Sequence, residues 1–144
     1  MSVTIRLEGS AELHAQLKGL RGDIRKAASR AVVGTALELQ RNVVKSISKK
    51  GTGITYQKKN PNRTHIASAE DQPPATDTGR LKNSIEFDKL DDLTATVGSK
   101  LTYATYLEYG TSRMAARPFF RPAVEKITPK YQGRLEKAIN GATR

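Results

Sequence analysis

Apolar positions along the chain keep two different periods, and the switches between them outline its elements. Val3, Ile5 and Leu7 alternate with Thr4, Arg6 and Glu8, which predicts a short half-buried strand. Gly9-Ser10 ends it, and Ser10 can cap a short helix through Leu20. From Asp23, a second N-cap candidate, Ile24, Ala28, Val32, Ala36, Leu39, Val43 and Ile47 recur every three or four positions. One helical face carries them all. Roughly 25 residues at about 1.5 Å each make a rod of about 37 Å. Ala and Val dominate the stripe, so its packing partner comes close. Lys49-Lys50-Gly51 ends the rod with basic side chains at the negative end of the dipole.

Residues 51–76 show no period. Gly51, Gly53, Asn60-Pro61-Asn62 and Pro73-Pro74 punctuate them, and a structureless stretch of that length points to a mobile arm with a function. Asp77 or Thr78 can then cap a single helical turn through Asn83. Ile85 and Phe87, then Leu93, Ala95 and Val97, alternate with polar residues around Asp91-Asp92, the pattern of a β-hairpin. Tyr103, Tyr106 and Leu107 share a face of a short helix that Gly110 stops. Val124, Ile127, Tyr131, Leu135 and Ala138 mark a last amphipathic helix, which Pro129 kinks or restarts, with Thr128 as the fresh cap. The fold class is α+β. A long N-terminal helix and a kinked C-terminal helix pack on a small, mostly antiparallel sheet, in one domain over 1–144.

Charge changes this picture most. The 144 residues carry a net charge of +11 and no cysteine. Disulfide staples and cysteine-rich zinc sites are therefore excluded. No apolar run reaches the roughly 20 residues of a membrane span, so no membrane role is expected. Between Glu38 and Glu70 there are seven basic residues and no acidic one. Among them, Lys49, Lys50, Lys58, Lys59 and Arg63 form a candidate surface for DNA or a partner. From Arg113 onward there are eight basic residues against two acidic ones. A non-specific nucleic-acid-binding protein acting through the basic arm is the alternative reading.

Candidate chemistry is sparse. His14 and His65 lie far apart and lack metal-ligand spacing. Gly51-Thr52-Gly53 lacks the Lys and Ser/Thr of a phosphate loop, and no serine sits in a nucleophile elbow. Glu108 stands among aromatic residues, as an ion-pair partner for Arg113 or Arg117. No catalytic, cofactor or metal site is expected, and the chain is not expected to be an enzyme.

The segment Tyr103–Lys126 holds five aromatic residues, three arginines and two prolines. Its pattern is Tyr103-Ala104, Glu108-Tyr109-Gly110-Thr111, Arg117-Pro118-Phe119 and Arg121-Pro122-Ala123. Upstream stand Pro73-Pro74, Asp77-Thr78-Gly79, Leu81 and Ser84-Ile85. Together these resemble the head–tail joining family of long-tailed bacteriophages, also called neck, tail-completion or minor tail-component proteins. The resemblance implies a virion subunit made in the bacterial cytoplasm. It implies a ring, commonly a hexamer, that joins capsid connector or head-closure protein to tail tube and lets DNA pass with only transient contact. Tyr103, Tyr106, Glu108, Gly110, Thr111, Arg117, Pro118, Phe119, Arg121 and Pro122 are then candidates for the subunit interface. Phe119 and Phe120 can be core residues or intersubunit anchors.

Overall fold

Helix α1, Gly22–Ile47, buries one face from end to end. The computed structural model describes residues 22–142 and residues 3–8, the latter as backbone only except at Thr4. The helix expected over Ser10–Leu20, with His14, lies outside the described residues. All seven stripe residues of α1 are buried, joined by Ala27 and Thr35. Asp23 stands in the first turn, where a carboxylate complements the dipole, rather than before the helix.

Helix α4, Arg121–Ala142, lies antiparallel along α1. Ile127 is buried between them, while Leu135, Ile139 and Ala142 close over Ile24 and Ala28 at the far end. Glu38 of α1 binds Lys130 at 3.0 Å and also Arg134. The Lys130 hydrogen bond, then Arg134, holds the Glu38 carboxyl below its ordinary range. Of the kink or restart expected at Pro129, the restart does not occur: α4 runs as one helix through it. The Thr128 hydroxyl donates to the Val124 carbonyl at 2.8 Å, a bond made within a helix and not at its start.

Strands β1 (Val3–Glu8), β4 (Ile85–Lys89) and β5 (Thr94–Ser99) form an antiparallel sheet in the order β1-β5-β4. Ile85 pairs with Ser99 and Val3 with the same residue from the other side. The expected hairpin is thus present, and β1 adds to its second strand. Its turn is set by Asp91, whose Oδ1 accepts from the Leu93 N–H at 2.7 Å. Helix α1 crosses β4 and β5, burying Ile85, Ala95 and Val97.

The largest departure from the sequence reading is at residues 51–76. They are not structureless: β2 (Thr55–Lys59) and β3 (Asn62–Ile66) pair as a hairpin across a cis Asn60-Pro61 bond. At its root a Cβ on Gly51 would stand 2.2 Å from the Ile66 and Ala67 carbonyl oxygens, so only glycine admits the returning strand there. The outer face of this hairpin is exposed, and on the inner face the half-buried residues Lys58, Arg63 and His65 are all polar. Apolar alternation reports burial rather than strand pairing, so it is absent. Two short helices complete the described chain, α2 (Arg80–Asn83) and α3 (Thr102–Tyr109).

A candidate interaction end of the molecule

Glu108 organises the segment between α3 and α4. It is only 3% exposed, and no arginine meets it among the described residues. The expected ion pair with Arg113 or Arg117 is replaced by three backbone bonds. Oε2 accepts from the Phe119 and Phe120 N–H groups at 2.8 and 2.9 Å, and Oε1 from the Arg121 N–H at 2.9 Å. These donors belong to the first turn of α4 and the residues before it, which have no intrahelical acceptor. A carboxylate there satisfies the donors and complements the positive end of the dipole. Pro118 and Pro122 fix φ on either side without demanding a further acceptor.

Gly110 makes the reversal possible. Its φ is 75°, and a Cβ there would lie 2.8 Å from the Met114 carbonyl oxygen. The turn closes through a Thr111–Met114 bridge. The Arg117 N–H then reaches back to the Leu107 carbonyl at 2.7 Å. Phe119 and Phe120 enter the main core beside Leu39, Val43 and Ile47, their ring centroids 4.9 Å apart. They are therefore core residues of the subunit and not intersubunit anchors.

Helix α3 faces the other way from the expected Tyr103–Tyr106–Leu107 stripe. Ala104 and Glu108 are buried and Leu107 half-buried, because this face must approach the α4 entry closely. Tyr103, Tyr106 and Tyr109 point outward and are 39, 51 and 66% exposed. Thr111, Arg121 and Pro122 are exposed as well, while Arg117 and Pro118 are half-buried.

Asp77 serves the arm rather than capping α2. Gly79, at φ 80°, precedes that helix. The Asp77 carboxylate holds Lys58, meets Arg63 at 2.5 Å and lies 3.8 Å from His65 Nδ1. The Arg63 guanidinium also donates to the Asp77 carbonyl at 3.0 Å. The Lys58 hydrogen bond, aided by the Arg63 and His65 charges, draws the Asp77 carboxyl below its ordinary range against partial burial. Lys58 and Arg63 are a cross-strand pair. Two of the five cations proposed for DNA are thus compensated by an acid from outside the basic interval, and they face the body. Lys49, Lys50 and Lys59 remain exposed.

A family model described as "Bacteriophage HK97-gp10, putative tail-component" matches residues 11–110. The chain belongs to the HK97-gp10-like family. It is accordingly a structural component of a bacteriophage tail, part of the virion, and it works in contact with other phage structural proteins. Neither a curated protein nor a solved structure matches it further. The matched region of this HK97-gp10-like chain spans α1, the arm, β4–β5 and α3, and ends at Gly110. Among the described residues no group of acidic residues and histidines is placed to hold a metal, and no helix is long and apolar enough to cross a membrane.

Two residues that organise this end carry little advance signal in the sequence. Asp77 lies 14 residues from Arg63, and only the fold brings them together. Glu108 was visible as a carboxylate among aromatics, but its partners are backbone N–H groups, which no side-chain pattern announces.

Proposed function

We propose that the chain is a non-catalytic, ring-forming subunit at the head–tail junction or the tail end. Copies, six in the favoured arrangement, surround an axial channel that passes DNA, and join the connector or head-closure protein to the tube. The distribution of exposed large hydrophobic residues carries this reading. Of seven among the described residues, Ile54, Tyr56 and Ile66 lie on or beside the arm, and Tyr103, Tyr106 and Tyr109 on α3. Clustered apolar surface rimmed by charge marks protein contacts, and tyrosine is enriched in them. A phosphate backbone needs only cations, so six apolar side chains favour protein partners over DNA as the main ones. Exposed Lys49 and Lys50 suit transient contact with passing DNA.

The heterologous contacts of a ring join one patch to a different patch on the next copy. Negative-stain imaging of concentrated protein tests the reading. Closed rings with a central opening are expected, and a field of single subunits at every concentration would remove its support.

A further inference from the structure

We propose that the arm of one copy docks along the outer edge of strand β4 of the next, extending that copy's three-stranded sheet. This deepens the ring reading and rests on it.

Strand β4 ends the sheet on one side. The Leu90 N–H donates to the Thr94 carbonyl at 3.0 Å, which extends the β4–β5 register one position beyond its last pair, Lys89 with Ala95. Bonded and unbonded pairs alternate along an antiparallel ladder. Glu86 and Asp88 therefore bond inward to β5, and the N–H and C=O groups of Phe87 and Lys89 point out from the edge. The Ile85 carbonyl, in the same outward phase, is taken by the Gln40 amide at 2.8 Å. Among the described residues no backbone group meets those of Phe87 or Lys89. Such an edge is a template for another strand.

The arm is the matching segment in shape. Its strands pair only with each other, and their five residues each, about 17 Å, equal the length of β4. The outer-face residues Thr55, Gln57, Lys59, Asn62, Thr64 and Ile66 are all exposed. Asp77 anchors the opposite face through Lys58 and Arg63, so the arm is held in place by its own subunit.

It also matches in charge. The hairpin carries the basic residues Lys58, Lys59, Arg63 and His65 and no carboxylate, whereas Glu86 and Asp88 on β4 are exposed acids. Glu86 already meets Lys100 at 2.6 Å. Asp88 makes no ion pair among the described residues and faces the exposed Lys59 of the incoming arm. Leu90, among the described residues the one exposed large hydrophobic outside the arm and α3, directly follows β4. It shares the exposed face of Asp88, two residues along the same edge. Charges on an edge strand commonly block pairing; here they select a strand of opposite sign.

A charge swap tests the contact. Sedimentation velocity of the full chain gives the concentration at which half the subunits assemble. Lys59→Glu and Asp88→Lys should each raise it about tenfold or more through like-charge contact. The chain carrying both changes should return to within about threefold of the parent, since a head-to-tail contact restores the pair. Both sites are exposed, so thermal unfolding of each monomer should match the parent. If both single variants assemble like the parent, or the double variant is no better than they are, this contact is overturned and the ring stands. If the parent never assembles, ring and contact fall together. If Lys59→Glu weakens binding to a 30-base-pair DNA duplex and leaves assembly unchanged, the arm serves DNA and the inference is overturned.

Discussion

Replacing Glu108 by alanine removes the acceptor that holds the start of α4, and the cost can be worked from its three bonds. Phe119 and Phe120 are fully buried, so their N–H groups have no water to turn to. Each donor left unpaired costs about 1–3 kcal/mol. Loss of the carboxylate at the helix start removes about 1 kcal/mol more. The change should destabilise the monomer by about 3–7 kcal/mol, a large part of the 5–15 kcal/mol typical of a folded domain. At 2–4 °C per kcal/mol that is a fall of roughly 6–28 °C in Tm. Glu108→Gln keeps one acceptor and should lose about half as much, because its amide N–H₂ must face at least one of the same donors. Arg113→Ala should be within about 0.5 kcal/mol of the parent, as for other exposed sites without a structural role. Circular dichroism melts of dilute protein measure all three. If Glu108→Ala lost less than about 1 kcal/mol, or Arg113→Ala lost as much, the carboxylate would not act through the backbone of α4.

Other changes separate the remaining roles. Gly110→Val should cost about 3 kcal/mol or more in the same melts, because a β-branched residue is strained at φ 75° and its Cβ meets the Met114 carbonyl. Phe119→Ala should cost about 3–5 kcal/mol in the monomer; unchanged melting with lost assembly would instead make it an anchor between subunits. The folded pKa of Asp77 is depressed from an unfolded value near 3.8, so its stabilisation is complete above that value. It is lost as pH falls through the folded pKa. Cross-strand NMR contacts in the arm should then be constant from pH 7 to about 5, with the arm loosening against the body only below about pH 3.8. Asp77→Asn should loosen it at neutral pH.

Much of the α+β architecture was legible because it buries apolar residues at regular spacing. The α1 stripe, the α4 stripe and the β4–β5 hairpin all follow patterns that report burial, and their positions agree with the structure. The arm carries no apolar alternation because its half-buried face is built of Lys58, Arg63 and His65 rather than apolar residues. Helix α3 misled because two tyrosines and a leucine share its spacing with Ala104, Leu107 and Glu108; close packing against the α4 entry selects the smaller face. Pro129 suggested a break, yet a helix already packed along α1 can carry one missing N–H donor, since tertiary contacts outweigh local preference. Asp77 and the arm cations show the limit of reading charge in sequence order. Seven basic residues without an acid between them looked uncompensated until the fold returned Asp77 to Lys58 and Arg63.

In the proposed ring, copies of this chain assemble through the arm. Sedimentation velocity of the parent beside a variant with residues 54–66 replaced by a short Gly-Ser loop tests it most directly. The arm adds no buried large hydrophobic residue to the core, so both should melt alike when dilute. The parent should convert to a closed oligomer as concentration rises, while the variant stays monomeric. A variant that assembles at the parent's concentration into the same species would contradict the account.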